Sequence, residues 1–271
     1  MFNQIGLKLT GVPRTMLITT RARVEEHQRE DGLLNDPKVV EWWQYLAWDR
    51  ELDGFYNNTI TQLAIVVRSK IIDRITEKHL ANHPDGVVIE IGAGLSTRYY
   101  RVGQDCRCWL DLDLPAVTDL RRQLDTESEN HRFLSYSALD FNWIDDIPEC
   151  SPESVLLIAE GLLMYFEPEE VREFCDRLKQ LFPGSTLVFD AVGFSPNSKG
   201  AKQLASLGAP LKWFIKNERD IEALGLSLVQ VKSLVQENCQ YRDRIGIYRW
   251  FPWISKLPVI RNASLIVETK I

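Results

Sequence analysis

The sequence predicts an α/β fold with a doubly wound, mostly parallel sheet. Three apolar segments carry that expectation, each reaching an acid and a turn before a helical pattern resumes: VVIEIGAGLSTRYYRV (Val87–Val102), CRCWLDLDLPAV (Cys106–Val117) and VLLIAEGLLMYFEPEEV (Val155–Val171). Such near-continuous apolar runs fit strands covered on both faces, as in parallel sheets.

The elements follow in chain order. From Thr15 to Leu80 apolar residues recur at helical spacings, with Val39, Trp42, Trp43 and Leu46 in one stretch and Leu63, Val66, Val67, Ile71 and Ile75 in another. Asn35 or Asp36 before Pro37 is a helix start signal. Val87–Ile91 reads as a strand interrupted by Glu90, and Gly92 and Gly94 allow a sharp turn that a ligand can approach closely. Ser96 or Thr97 is expected to cap a helix continued by Arg98–Val102. The next strand surrounds Asp111 and Asp113 with Trp109, Leu110, Leu112 and Leu114 and closes at Pro115.

The run from Val155 ends at Glu160 and Gly161, and a helix begins near Pro168 with Glu169 and Glu170 in its first turn, where negative charge is favoured. STLVFDAVG reads as a fifth strand ending in Asp190. A helical insertion is expected near residues 194–224, with Trp213 and Phe214 facing a pocket or the core. LSLVQVKSLVQ and NASLIVETK alternate like an antiparallel edge pair.

Whole-chain properties exclude several classes. The 271 residues, 45% hydrophobic and 26% charged, suit one large domain with an elaboration. The net charge is 32 minus 38, or -6, without a Lys/Arg-rich run, which argues against a nucleic-acid partner. The apolar stretch Val155–Phe166 is broken by Glu160 and too short to span a bilayer, and MFNQIGLKLTG lacks a signal peptide's apolar core. No membrane association is expected, and a cytoplasmic location is. Five cysteines, Cys106, Cys108, Cys150, Cys175 and Cys239, form no C-x-x-C pair, so neither a disulfide framework nor a metal site is expected.

The glycine turn and Asp113 point to a nucleotide-like cofactor, because an acid about 20 residues past such a turn sits where it can accept both ribose hydroxyls. Two classes fit, a nicotinamide or flavin dinucleotide and S-adenosylmethionine. The third glycine of G-x-G-x-x-G is replaced by Thr97, and no basic cluster for a pyrophosphate stands beside the turn in the sequence; both facts favour S-adenosylmethionine.

The motifs GAGLSTRYYRV, WLDLDLPAV and EGLLMYFEPEEV, with TQLAIVVRSKIIDRI, NHRFLSYSALD and FPGSTLVFDAVG, resemble those of the leucine carboxyl methyltransferase superfamily, and more closely its bacterial polyketide O-methyltransferases of the tetracenomycin type. The resemblance covers nearly the whole chain. One departure is Ser96, where the family usually has an acid.

The resemblance implies a class I methyltransferase-like, seven-stranded sheet with an N-terminal helical lid or substrate region over residues 1–84. A Rossmann-like S-adenosylmethionine domain is implied over residues 85–271. It also implies roles. Glu90, Gly92, Ala93 and Gly94 hold the methionine part; Asp113, with Asp111 and Leu114, takes the ribose; Ser137, Ala138 and Leu139 contact adenine. Glu160 and Gly161 close the amino acid end, and Arg68 pairs with the cofactor carboxylate.

The acceptor is expected to be a small secondary metabolite, polyketide or peptide-like molecule, methylated on a carboxyl or hydroxyl. The alternatives are a protein C-terminal carboxyl, an amine, or a cofactor-binding protein without catalysis. A carboxylate is ionised at neutral pH and needs no base, whereas a phenol or alcohol does. The candidates on the acceptor side are Tyr165, His27 as a base, and Arg21, Arg23 and Trp213 as substrate contacts, with pairing of the two arginines to Glu25 and Glu26 as the alternative.

Overall fold

The computed structural model describes residues 9–56, 59–193, 196–241, 243–245 and 252–271. Its centre is one sheet of seven strands: β1 (Val87–Ile91), β2 (Cys108–Asp113), β3 (His131–Ser135), β4 (Val155–Ala159), β5 (Thr186–Val192), β6 (Ser227–Ser233) and β7 (Ser264–Lys270). Their order is β3-β2-β1-β4-β5-β7-β6. The first five run parallel, and β7 lies antiparallel to both β5 and β6. This is the expected mostly parallel sheet with an antiparallel edge pair. The strand order reverses between β1 and β4, and a crevice at the carboxyl ends of the strands opens beside such a switch point.

Every residue of β1, β4 and β5 is buried, which explains their near-continuous apolar runs. On one face Val87, Ile89, Leu110 and Leu157 pack with Phe174 and Leu178 of the helix Pro168–Leu181. On the other, Val88, Trp109, Leu156 and Ile158 pack with Leu63, Val67 and Ile71 of the helix Thr59–Asn82. In chain order the main helices are α1 (Met16–His27), α2 (Pro37–Trp43), α3 (Asp53–Tyr56), α4 (Thr59–Asn82), α5 (Pro115–Leu124), α6 (Pro168–Leu181), α7 (Lys199–Ser206) and α8 (Glu218–Glu222).

Local chemistry sets the helix starts. Asp36 caps α2, its carboxylate accepting from Val39 N at 3.1 Å. Glu167 and Glu170 form a capping box around Pro168 at the start of α6. The N-terminal helices bring Met16, Trp42, Leu52 and Tyr56 into one cluster with Leu95 of the glycine turn and Val117 and Leu120 of α5. The N-terminal helices are thus docked on the turn itself.

Two local expectations change. The short helix expected over Arg98–Val102 forms as a five-residue π-type turn, Tyr99–Gly103, whose N-cap residue is Arg98, without a side-chain cap, rather than Ser96 or Thr97. In this register Arg98 and Arg101 both reach Asp73 of α4. Strand β5 also continues past Asp190 to Val192. The expected insertion contains α7 and α8, while residues 194 and 195 lie outside the described residues, as do the first eight of the amino-terminal segment. All five cysteines are free. No helix among the described residues is long and apolar enough to cross a membrane, and no cluster among them could hold a metal ion.

Candidate active site

A cavity of about 590 Å³ opens at the carboxyl ends of β1, β2 and β4, lined on its lid side by α1 and α4. Ligand sites are commonly of this size. Of the residues singled out in the sequence, it brings together Arg23, Arg68, Glu90, Gly92, Ala93, Gly94, Asp113, Leu114, Ser137, Ala138, Glu160, Gly161 and Tyr165.

The floor is the glycine turn. Gly92 and Gly94 have φ of 70° and 54°, a region that side chains rarely adopt. A Cβ at Gly92 would lie 2.9 Å from the Leu162 side chain. Gly92 N and Ala93 N donate to Leu112 O at 2.8 and 3.1 Å, which ties the turn to the tip of β2. There the Asp113 carboxylate accepts from Gly94 N and Leu114 N, both at 2.7 Å. Burial raises the Asp113 pKa, more than these two donors lower it. A carboxylate has about four lone-pair sites, so two remain for ligand hydroxyls.

The opposite wall is a buried charge network. Arg68 of α4 donates to Glu160 Oε1 and to Asp190 Oδ2, each at 2.8 Å. Asp190 also accepts from Gly161 N at 2.5 Å, so it holds both the guanidinium and the backbone after β4. Arg98 donates to Asp73 at 2.8 Å and bonds Glu90 and Glu160 as well. Burial alone would raise Glu160, but Arg68 and Arg98 outweigh it and hold the carboxyl at about 2. Burial dominates at Glu90 and pushes it up to about 7, against the pull of Arg98. Ser96 Oγ donates to Glu90 Oε2 at 2.8 Å and so keeps Glu90 bonded.

The remaining sequence candidates fall elsewhere. His27 does not line the cavity; its Nδ1 accepts from Asp36 N at 3.1 Å and joins the end of α1 to the start of α2. Arg21 is directed away from the cavity, 4.4 and 4.3 Å from the Trp48 and Tyr56 ring centroids, and paired with Glu25 at 2.8 Å. Asp111 lies one pleat behind Asp113 and is taken up by Arg121 and His131, each at 2.6 Å. Leu139 packs against the core, and Trp213 is buried against Phe189. Arg23 reaches the cavity wall, but its guanidinium is occupied by Asp36 and Leu95 O at 3.1 and 2.7 Å. Tyr165 sits in the turn after β4, where burial raises its hydroxyl more than the Thr15 hydroxyl lowers it.

Sequence reasoning missed several lining residues, chiefly Arg98, Arg101, Tyr136 and Asp190. It also counted no basic cluster at the turn. In space Arg23, Arg98, Arg101 and Arg121 surround it, each committed to buried carboxylates. The signal for Asp190 was an acid inside TLVFDAV, a strand buried throughout.

A leucine carboxyl methyltransferase family model matches residues 16–179. The tetracenomycin polyketide synthesis O-methyltransferase TcmP of Streptomyces glaucescens is 30% identical, covering 80% of this chain and 80% of its own length. The S-adenosyl-L-methionine-dependent methyltransferase dpfgK of Gibberella zeae is 28% identical, covering 89% of this chain and 87% of its own. The crystal structure of a Thermobifida fusca protein shares the fold, with a TM-score of 0.61 at 15% identity over 98% of this chain and 96% of that one.

Proposed function

The chain belongs to the leucine carboxyl methyltransferase family and is an S-adenosylmethionine-dependent methyltransferase, and from that premise we propose that it methylates an oxygen of a small, largely apolar acceptor. The observation that carries this reading is the division of one cavity into two halves. One half is built of the glycine turn, Asp113 and the Arg68–Glu160–Asp190 group. The other is lined by Ile18, Phe55, Ile65, Met164 and Phe166.

The first half fits the cofactor. Positive-φ glycines leave room for a close ligand, Asp113 has free lone pairs for a ribose diol, and Ser137 and Ala138 line the same cavity, which supports their assignment to the adenine. Arg68 and Glu160 offer opposite charges to a bound amino acid's carboxylate and ammonium. When bound, S-adenosylmethionine supplies a methyl group already activated on a sulfonium.

The chain's own residues then act mainly by placement, which can supply a large share of such a barrier. Among the described lining residues every guanidinium and carboxylate has a partner, so the acceptor half presents apolar surface and the hydroxyls of Thr15, Thr19 and Tyr165. That surface selects an apolar body and excludes water from the transfer. Residues of α1, α3 and α4 supply most of this half, which supports a lid and substrate region set over a cofactor domain. TcmP, an O-methyltransferase of polyketide synthesis by name, supports the choice of oxygen and of a polyketide-like acceptor.

The test is transfer of labelled methyl from S-adenosylmethionine to a panel of apolar aromatic acids, apolar phenols and short peptides. Label on the acids that alkali releases as methanol identifies carboxyl transfer, and alkali-stable label on the phenols identifies ether formation. Label on peptide C-termini alone would replace the small-molecule reading with a protein-modifying one.

A further inference from the structure

Three consecutive carbonyls of the glycine turn, those of Gly94, Leu95 and Ser96, are gripped from behind by two buried guanidiniums. Arg121 of α5 donates to Gly94 O at 3.2 Å and to Ser96 O at 2.8 Å. Arg23 of α1 donates to Leu95 O at 2.7 Å. Both arginines are 4% exposed or less.

Their anchors differ in origin. Arg121 is fixed from within the sheet by Asp111, which also accepts from Trp109 Nε1 at 3.1 Å and bonds His131. Arg23 is fixed by the lid and the turn together. Its Nη1 bonds Asp36, the cap of α2, at 3.1 Å, and also the Thr97 hydroxyl. That hydroxyl donates to Asp36 at 2.5 Å and accepts from Arg101 at 2.7 Å. Thr97, which occupies the third glycine position of a dinucleotide motif, is therefore a fully buried hub between lid and turn.

A guanidinium fork bonds well only when its acceptors are held in fixed places. The Leu95 carbonyl is held by Arg23 only while α1 and the start of α2 are docked. We propose that Arg23, Asp36 and Thr97 form a positioning clamp that makes the shape of the cofactor turn depend on the docked lid, so that cofactor binding and lid docking are one coupled event. The inference rests on the cofactor reading given above. Coupling of this kind is reciprocal: whatever the lid adds to cofactor affinity, the cofactor adds to lid docking.

The experiment uses the full chain with S-adenosylhomocysteine as the probe. Calorimetry gives Kd, and hydrogen exchange across residues 16–27 reports the lid. In the wild type the probe is expected to slow exchange in α1. Thr97→Val removes only the hub hydroxyl and is expected to raise Kd and the cofactor KM about tenfold, with a smaller change in kcat and weaker protection of α1. Arg23→Lys keeps the charge but loses the fork and is expected to shift both readouts in the same direction. A folded Thr97→Val protein with wild-type Kd, or a wild type whose α1 exchange ignores the probe, overturns the clamp alone. A wild type that does not bind the probe removes the cofactor reading and the clamp with it.

Discussion

Replacing Glu160 with Gln tests the buried charge network by pH as well as by stability. In the wild type Arg68 and Arg98 hold Glu160 at about 2, against an ordinary value of 4.5. Because the folded-state value is depressed, the stabilisation is complete above the unfolded value and is lost as pH falls through the folded one. The shift corresponds to about 3 kcal/mol at neutral pH. Removing one partner of a buried ion pair costs about the same, roughly 3–5 kcal/mol. Chemical denaturation at pH 7 should therefore show Glu160→Gln less stable than the wild type by about 3 kcal/mol, and at pH 3.5 by about 2 kcal/mol, with convergence near pH 2. A stability difference that stays constant from pH 7 to pH 3 would refute the reasoning, since it would locate the loss in packing.

Three further outcomes follow from the same geometry. Glu90 has the opposite sign: its raised value of about 7 means that the folded protein loses stability as pH rises from 4.5 through 7, so Glu90→Gln is expected to be more stable than the wild type at pH 8, with the gain vanishing by about pH 4 in denaturant titrations. Gly92→Ala forces a side chain into φ of 70° beside Leu162 and should lower stability by about 1–2 kcal/mol; Leu162→Ala in the same chain relieves the contact but not the backbone cost, as paired unfolding curves would reveal. His27→Ala removes a backbone partner outside the cavity, and it should lower the unfolding midpoint while leaving kcat and its pH profile unchanged; a lost acidic limb in that profile would return His27 to catalysis as a base.

How much of this was legible in the sequence depended on how local each signal is. The glycine turn, Asp113 and Glu160 lie within short windows at strand ends, so apolar runs and turn chemistry located them. Asp111 was grouped with Asp113 because residues two apart share a strand face, but one pleat, roughly 6.6 Å, separates the lip of the cavity from the layer behind it. Arg98 bonds carboxylates 8, 25 and 62 positions away, and no window of sequence displays such a set. The same holds for Arg23, whose partners sit 13, 72 and 74 positions along the chain. Spacing within α1 could mark it as a charged residue of the lid, but not as one buried against the turn.

The glycine turn and Asp113 are proposed to hold S-adenosylmethionine in this cavity. Calorimetric titration of the wild type and of Asp113→Ala with S-adenosylmethionine, and separately with NADH, tests it most directly. Micromolar binding of S-adenosylmethionine to the wild type, collapse of that binding in Asp113→Ala and no binding of NADH are expected. Equal affinity in the two proteins, or binding of NADH alone, would contradict it.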